Sequence, residues 1–295
     1  MKKILIIGAN GQLGADINTC LSNKNYITLT PNHEELDITN FDNVTKYILH
    51  HKPEIIINTA AYHHVDKCEE FPFLATLINN NAPTYISKLC KEINCKFIHF
   101  STDYVFDGAK GKPYVETDLP NPLNVYGKTK YEGENEILKA NNHALIIRVS
   151  ALYGVNPCRA KNGLNFIQLM LKLASERDEI TVVGDEYVSP TATFDIANIL
   201  PEIIAKDLSG IVHLTSEGAC SWYEFAKEIM DYTHTNVKIK EVSSSHFPAK
   251  TPRPKYSVLE NQSLKNNGIQ SMPHWRIALH NYLNTIKKRS FYLIF

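Results

Sequence analysis

The 295-residue sequence lacks a long apolar run, an excess of either charge and any C-x-x-C pair. No window approaches the roughly 18 apolar residues of a membrane-spanning helix, and the apolar start of MKKILIIGANG ends too early for a signal peptide. The 31 basic and 31 acidic residues balance, and the basic residues form no long run, which argues against nucleic-acid binding. The six cysteines show no C-x-x-C spacing. We therefore expect a cytoplasmic protein with reduced thiols and with neither nucleic acid nor membrane as a partner.

The first half of the chain alternates short apolar segments with longer amphipathic ones. The apolar segments show no polar alternation, and they are predicted as strands at residues 4–7, 26–29, 55–58, 96–100 and 144–149. The amphipathic segments are predicted as helices at residues 13–21, 44–50, 79–93 and 126–138. Buried strands separated by helices are typical of a parallel sheet covered on both faces. The predicted fold class is therefore α/β, a Rossmann-type doubly wound parallel sheet with a smaller C-terminal α/β substrate-binding domain.

In the second half, apolar and amphipathic segments alternate less regularly, and loops rich in Gly, Pro, Asn and Ser interrupt them. Strands are predicted at residues 180–183, 211–214 and 237–242, between helices at 166–175, 194–206, 222–232 and 275–287. We predict an NAD(P)-binding Rossmann domain in residues 1–150, completed by part of 180–210, and a substrate-binding cap formed mainly by 151–295. Ligands of such proteins usually bind in the cleft between the two parts.

A glycine-rich turn, GANGQLG, directly follows the first predicted strand and precedes the first helix. Gly8, Gly11 and Gly14 would allow a tight turn, close approach of the backbone to a pyrophosphate and close packing of the helix. Glycine turns also occur for purely structural reasons. Because this one opens a strand–helix–strand pattern, we favour dinucleotide binding.

The choice between nicotinamide cofactors is harder to read from the end of the second strand, TLTPNHEELDIT. No Asp or Glu stands directly at the strand end to bind the adenosine ribose, and no Arg is there for a 2′-phosphate. Asp37 and Ile38 come slightly later and could flank the adenine. A helix-capping role for this pair is an equally good interpretation of the sequence.

Tyr126 and Lys130, in NVYGKTKYEGE, stand four positions apart at the start of a predicted helix. The fourth strand ends in FIHFSTDYVFDG, so its hydroxyls would lie at the carboxyl edge of the sheet, where such folds carry out chemistry. We expect Lys130 to lower the pKa of the Tyr126 phenol and to hold the nicotinamide ribose. Tyr126 would give a proton to a carbonyl oxygen that Thr102 or Ser101 orients.

A second Tyr-x-x-x-Lys pair, Tyr223 and Lys227, occurs far beyond the predicted sheet. Trp222, Phe225 and Ile229 give its helix an apolar face. We interpret this second pair as structural.

The chain resembles the extended short-chain dehydrogenases/reductases and, within them, the dTDP-4-dehydrorhamnose reductase family. The resemblance covers nearly the whole chain, through GANGQLG, LDIT, NTAAYHHVDKCE, FSTDYVFDG, PLNVYGKTKYEGE, SPT, SWYEFAKEI, RPKYSVL and HWRIALHNYL in the family's order. It implies a catalytic triad of Thr102, Tyr126 and Lys130. The cofactor-binding positions that we assign are Gly8, Asn10, Gly11, Gln12, Leu13, Gly14, Asp37, Ile38, Ala60, Ala61, Tyr62 and Lys130.

The resemblance also implies a reaction. Members of the family use NADPH, and often NADH as well, to reduce the C4 ketone of a nucleotide-linked 6-deoxy sugar for surface polysaccharide synthesis, and homodimers are usual among them. For this sequence we expect NADPH, with NADH as an alternative, a sugar nucleotide as substrate and a homodimer as the assembly. The predicted substrate-binding residues are Ser101, Asp103, Tyr104, Ala151, Glu186 and Arg253, the last as a bidentate partner for the pyrophosphate.

Three departures from the family pattern concern the sugar. Ala151, in RVSALYG, replaces a tryptophan that would wall the sugar pocket, while Glu186 and Val188 replace Gln and Gly in DEYVSPT. The loop VNPCRAKNGLN is longer than the pattern. Another deoxysugar, C4 epimer or nucleotide would fit as well as dTDP-rhamnose.

A metal and two other functions are disfavoured. Asp16 could serve a magnesium site like that of some relatives, but Phe194 stands where a second acid would be needed, so we predict no metal. A sugar-nucleotide epimerase or dehydratase shares the glycines and the Tyr/Lys pair, yet dehydratases carry an acid where this chain has Tyr104. A non-catalytic regulatory subunit on the same fold would not need the triad, which this chain keeps.

Overall fold

The computed structural model describes residues 1–157, 163–247 and 250–292. Its centre is a six-stranded parallel sheet in the order β2-β1-β3-β4-β5-β10. The strands are β1 (Lys3–Ile7), β2 (Ile27–Leu29), β3 (Ile55–Asn58), β4 (Lys96–Thr102), β5 (Leu145–Val149) and β10 (Gly210–His213). Most of their side chains are buried on both faces, as expected for strands without polar alternation. The predicted doubly wound α/β fold is confirmed.

Helices cover both faces of this sheet. On one face lie α1 (Gln12–Ser22) and α8 (Thr193–Ala205), whose apolar residues share a core with β1, β3, β4 and β5. On the other face lie α2 (Phe41–His51), α5 (Ala82–Glu92) and α6 (Val125–Ala140). Helix α8 and strand β10 thus add to the central layers although they follow residue 190. The division of the chain into two domains at residue 150 remains a prediction.

The rest of the second half packs as a smaller α/β unit. Its paired strands are β6 (Leu152–Tyr153) with β9 (Thr191–Ala192), β7 (Glu179–Val183) with β12 (Lys238–Val242), and β8 (Tyr187–Val188) with β11 (Cys220–Ser221). Its helices are α7 (Phe166–Glu176), α9 (Trp222–Thr233) and α11 (Trp275–Tyr292), whereas the short α10 (Gln262–Asn266) packs beside β10, with Leu264 in the core of the central sheet. Phe225 and Trp275, each 1% exposed, lie in the core of this unit.

The connection between β3 and α5 is more structured than the sequence suggested. It contains α3 (Val65–Glu70), α4 (Pro72–Thr76) and a π-helical turn at Leu77–Asn81. The predicted helix at 79–93 therefore begins as a π-turn, which aims Asn79 inward. Asn79 is completely buried and bonds to the backbone of Tyr62 and to Thr129 of α6. A wide turn thus links the exit of β3 to helix α6.

Two expectations about side chains and membranes are addressed by the described residues. Cys20, Cys68, Cys90, Cys95 and Cys220 are free thiols, while Cys158 and part of the long loop after β6 lie outside the described residues. Among the helices of the described ranges, none combines the length and apolar character needed to cross a membrane.

A buried ion pair fastens α6 to the sheet. Arg148 of β5 donates from Nε to Glu134 Oε1 at 3.0 Å and from Nη2 to Oε2 at 2.6 Å, and the two side chains are 1% and 0% exposed. The guanidinium also lies 5.1 Å from the centre of the Phe106 ring. Because Glu134 lies one turn beyond Lys130, this pair fixes the position of the helix that carries Tyr126 and Lys130.

Removal of the Glu134 carboxylate should destabilise the protein strongly. Glu134→Ala leaves the buried Arg148 charge without its partner, and we expect a loss of about 3–5 kcal/mol in the free energy of unfolding. Urea denaturation followed by circular dichroism measures this loss. The matched control is Glu132→Ala on the same helix, whose exposed pair with Lys128 spans 4.0 Å and should contribute less than about 1 kcal/mol. Equal losses in both variants would contradict the anchoring role.

Candidate functional site

A cleft of about 740 Å³ opens at the carboxyl ends of the central strands. Its lining runs from the turn after β1, past the ends of β3 and β4, to residues of the second half such as Glu186, Trp222 and Arg253. Strand β1 lies between β2 and β3, so the chain leaves the centre of the sheet in opposite directions at this point. Such a switch point is where open α/β sheets bind their ligands.

The glycine turn has the geometry that a dinucleotide phosphate requires. A Cβ atom at Gly14 would lie 2.3 Å from the carbonyl oxygen of Gly8, so only glycine lets α1 begin this close to β1. The cap residue of α1 is Gly11, whose lack of a side chain leaves the first N–H groups of the helix uncapped. Together with Gly8, Asn10, Gln12 and Leu13, these residues line the cleft. The turn therefore fits the pyrophosphate of a nicotinamide dinucleotide.

Gln12 has a second task beyond lining the cleft. Its side-chain amide donates to the carbonyl oxygens of Gly154 at 3.2 Å and Asn156 at 3.0 Å. This ties the start of α1 to the segment after β6, so the floor of the cleft is held from both halves of the chain.

The two residues predicted to flank the adenine follow β2, and they differ in their position relative to the cleft. Ile38, 6% exposed, lines the cleft together with Leu36. Asp37 lies outside the lining, and its carboxylate accepts hydrogen bonds from the backbone N–H and the hydroxyl of Thr39. Burial tends to raise the Asp37 pKa, but the two Thr39 hydrogen bonds and His33 lower it overall. Asp37 thus stabilises the turn before α2, and the cap of α2 is Asn40.

The segment after β3 presents its first residues to the cleft. Ala60 and Ala61 line it, whereas Tyr62 lies outside the lining, with its backbone held by Asn79. The N–H of Ala60 donates to Asn58 Oδ1 at 3.0 Å. The contact of Tyr62 with cofactor or substrate stays a prediction.

Helix α6 starts at the edge of β4. Asn124 caps it by accepting from the Gly127 N–H at 2.8 Å. A Cβ at Gly127 would lie 2.1 Å from the Tyr104 carbonyl oxygen, so the helix meets the turn after β4 in direct contact. This approach brings the phenol of Tyr126, in the first helical turn, to the Thr102 hydroxyl. Burial raises the Tyr126 pKa, while the hydrogen bond with Thr102 lowers it.

Lys130 points from the next turn of α6 into the protein and is 1% exposed. Its Nζ donates to the Phe100 carbonyl oxygen at 2.7 Å and lies 2.9 Å from His99 Nε2. Burial lowers its pKa to about 8, against the opposing effect of Glu134. The structure thus brings Thr102, Tyr126 and Lys130 together on one wall of the cleft, beside the glycine turn.

Asp103, predicted to bind substrate, lines the cleft but has structural partners. Its carboxylate accepts from the hydroxyls of Thr102 at 3.2 Å, Ser150 at 2.9 Å and Ser257 at 2.5 Å. Burial raises its pKa to about 6, against these hydrogen bonds. Asp103 therefore joins β4, β5 and the second half of the chain behind the cleft surface.

The other predicted substrate residues lie around the same opening. Tyr104 packs edge-to-face on Tyr126, with ring centres 5.7 Å apart. The buried hydroxyl of Ser101 has no hydrogen-bond partner within the described chain, which leaves it available to a ligand. Burial raises the Glu186 pKa, and the nearby charge of Arg253 opposes this. Ala151, with a φ of +44°, lines the cleft with its methyl group.

Sequence reasoning missed several residues of the lining. Trp222 of α9 supplies apolar surface, as does Val188 of β8, which the departures from the family pattern had already placed near the sugar, and His33, Thr59, Asp66 and Ser257 contribute polar groups. Trp222 was assigned to a packing face, while its neighbours Tyr223 and Lys227 lie outside the lining, consistent with a structural pair. Only proximity to the family motifs could have indicated the missed residues, because they come from segments far apart in the sequence.

The described ranges offer no set of side chains for a metal centre. They contain no group of three or more His, Cys, Asp or Glu side chains that could hold an ion. Asp16 accepts from the hydroxyl of Thr193 at 2.5 Å and from Asn156 at 3.1 Å. Phe194, beside Thr193, is 63% exposed. The expected absence of a metal stays a prediction.

Known proteins resemble this chain over nearly its whole length. The spore coat polysaccharide biosynthesis protein SpsK of Bacillus subtilis is 38% identical, covering 96% of this chain and 97% of its own. The dTDP-4-dehydrorhamnose reductase of Aggregatibacter actinomycetemcomitans is also 38% identical, with 95% and 98% covered. A crystal structure of dTDP-4-dehydrorhamnose reductase from Bacillus anthracis in complex with NADP superposes with a TM-score of 0.92 at 37% identity, covering 97% and 100%. The family model described as RmlD substrate binding domain matches residues 1–288, and the chain therefore belongs to that family.

Proposed function

We propose that this protein reduces the C4 ketone of dTDP-4-dehydro-L-rhamnose to give dTDP-L-rhamnose, with NADPH as the hydride donor and NADH as an alternative. The product would serve surface polysaccharide synthesis. The observation that carries the proposal is the convergence of Thr102, Tyr126 and Lys130 beside a glycine turn that fits a dinucleotide. Relatives of nearly equal length bear the name of this reductase, and one was solved with NADP.

The cofactor would be held by groups already in place along one side of the cleft. The uncapped start of α1 would bind the pyrophosphate, and Leu36 and Ile38 would enclose the adenine. His33, at the same end, is a candidate partner for a 2′-phosphate, where the sequence offered no arginine. When bound, the nicotinamide supplies the hydride.

The protein's own residues would supply the proton and orient the ketone. Tyr126 would donate its phenolic proton to the C4 oxygen, while the hydroxyls of Thr102 and Ser101 hold that oxygen in place. The charge of protonated Lys130 favours the phenolate that Tyr126 becomes. Burial of Lys130 keeps water from competing for its hydrogen bonds.

The sugar nucleotide would enter from the side of the second half. Arg253 is exposed at the mouth of the cleft, where its guanidinium can bind phosphate oxygens bidentately. Ala151 leaves space for the sugar, and Trp222 with Val188 provides the apolar wall around that space. This arrangement accommodates a 6-deoxy sugar, whose methyl group favours apolar surroundings.

The sequence left open an epimerase or dehydratase and a regulatory subunit. A dehydratase needs an acid after the Thr-Asp pair, and Tyr104 occupies that position, with its pKa raised by burial. A regulatory subunit would not need the buried lysine and its aligned partners. Neither alternative gains support from a specific observation. We also propose, from the family resemblance, a cytoplasmic location and a homodimeric assembly. Light scattering of the purified protein would test the homodimer.

Loss of the phenolic hydroxyl should abolish most of the activity. In Tyr126→Phe the aromatic ring remains but the proton donor is gone, so we expect kcat to fall by about 10²–10⁴. The measurement is the decrease in NADPH absorbance with dTDP-4-dehydrorhamnose, with NMR identification of the product. Tyr223→Phe, in the second Tyr-x-x-x-Lys pair, should leave kcat within about twofold. Full activity in Tyr126→Phe would refute the role of Tyr126 as proton donor. If the wild-type protein turned over only UDP, GDP or CDP keto sugars, the proposed substrate would be wrong and the proposed chemistry would stand.

Loss of the Arg253 guanidinium should weaken binding of the sugar nucleotide rather than the chemical step. Arg253→Gln removes a charge-assisted contact worth about 1.5–3 kcal/mol, so we expect KM for the sugar nucleotide to rise about 10–100-fold with kcat little changed. Steady-state kinetics at saturating NADPH measure both constants. Lys255→Gln is the matched control, because that nearby cation pairs with Asp185 at 3.4 Å. An unchanged KM in Arg253→Gln would show that the pyrophosphate binds elsewhere.

A further inference from the structure

A chain of buried side chains lies behind Lys130, outside the lining of the cleft. Asn58 at the end of β3 and His99 in β4 are both 0% exposed. Asn58 Nδ2 lies 3.1 Å from His99 Nδ1, and His99 Nε2 lies 2.9 Å from Lys130 Nζ. Neither Asn58 nor His99 can touch a ligand in the cleft, so their effect on the reaction must pass through Lys130.

The direction of these hydrogen bonds follows from the fixed position of Asn58. Its Oδ1 accepts the Ala60 N–H at 3.0 Å, which turns its NH₂ group toward His99. His99 Nδ1 must then accept, and a neutral imidazole has only one N–H. Burial alone suffices to hold the His99 pKa well below its ordinary value, so the ring is neutral. The single proton of His99 therefore lies on Nε2, toward Lys130.

An N–H on His99 Nε2 needs a lone pair at Lys130 Nζ. An ammonium group has none, whereas an uncharged amine has one and can still donate to the Phe100 carbonyl oxygen at 2.7 Å. We propose that Asn58 and His99 form a hydrogen-bond chain that stabilises the uncharged amine of Lys130, which makes this lysine a proton exchanger near neutral pH instead of a permanent cation. Asn58 and His99 are thus positioning residues.

Other charged groups around Lys130 act in the opposite direction or are already paired. Glu134, one turn along α6, favours the ammonium, but Arg148 neutralises it through two hydrogen bonds. Asp103, at the end of β4, accepts three hydroxyl hydrogen bonds, and Tyr126 is uncharged before it reacts. Burial and the His99 N–H therefore favour the uncharged amine of Lys130 against the charge of Glu134.

Proton exchange by Lys130 would complete the catalytic cycle, and this part of the inference rests on the proposed function. Tyr126 loses one proton to the C4 oxygen and becomes a phenolate. The ammonium of Lys130 loses one proton to restore the phenol and becomes the amine that His99 stabilises. Once the product has left, the amine takes one proton from water in the open cleft that it lines, so one proton per turnover passes from water to the product.

The first experiment reads the tautomer of His99 directly. In protein with ¹⁵N-labelled histidine, the ring nitrogens of His99, assigned with His99→Leu, should show the proton on Nε2 and none on Nδ1. A proton on Nδ1, or a charged ring at neutral pH, would overturn the proposal. This measurement needs neither a substituted chain as the test sample nor any bound ligand.

The second experiment reverses the donor at position 58. In Asn58→Asp one carboxylate oxygen still accepts the Ala60 N–H, but the other accepts from His99 Nδ1, so His99 Nε2 becomes an acceptor for the ammonium. In ¹³C NMR of labelled lysine, with Lys130→Met to assign the signal, the Lys130 midpoint should rise from about 8 by roughly one pH unit or more. An unchanged or lower midpoint would contradict the hydrogen-bond chain.

A double variant separates the hydrogen-bond chain from the new charge. In a His99→Leu background, Asn58→Asp should no longer raise the Lys130 midpoint, and a rise that persisted would mean that the carboxylate acts through space. Because these titrations use the free protein, they are independent of turnover. A wild-type protein with the expected midpoint but no ketone reduction would refute the proposed function and leave the hydrogen-bond chain intact.

Discussion

The close approach of helix α6 to the carboxyl edge of the sheet is the constraint on which the site depends. The helix can approach because Gly127 has no side chain, and it stays because Arg148 and Glu134 form a buried pair one turn beyond Lys130. Once α6 is fixed, Tyr126 must meet Thr102 and Lys130 must bury its nitrogen against Phe100. The placement of Tyr126 and Lys130 is therefore set first by the position of α6. Their geometry is a consequence of helix packing, which is stiffer than any loop.

The same edge also determines how the second half of the chain meets the first. Asp103 accepts hydroxyl hydrogen bonds from Ser150 and from Ser257, and Asn124, the cap of α6, donates from its side chain to the Pro252 carbonyl oxygen at 2.9 Å. The loop that carries Arg253 is thus anchored to the two structures that hold Thr102 and Tyr126. A ligand bound between the halves would contact groups whose separation is set by shared buried hydrogen bonds.

Much of this arrangement could be predicted from the sequence, for identifiable physical reasons. The central strands were predictable because both faces are buried, and the glycine turn and the Tyr126–Lys130 pair because their chemistry requires fixed spacing. For Asp37 the sequence left two roles open, because a carboxylate after a strand can serve its own turn as well as a cofactor, and the hydrogen bonds to Thr39 show that it serves the turn, while its contact with the cofactor stays a prediction. Trp222 could not be recognised as a cleft residue because its neighbours come from distant segments. The π-turn around Asn79 has no sequence periodicity of its own.

The protonation of Lys130 depends on the different roles of two buried basic side chains, Arg148 and Lys130. A lone carboxylate one turn away would hold Lys130 as an ammonium, because separating opposite charges in a region without water is costly. Arg148 counters this by donating to both oxygens of Glu134. The guanidinium therefore serves the structure and pairs with the nearest carboxylate. Lys130, relieved of that partner and faced by the N–H of His99, is left free to gain and lose its proton.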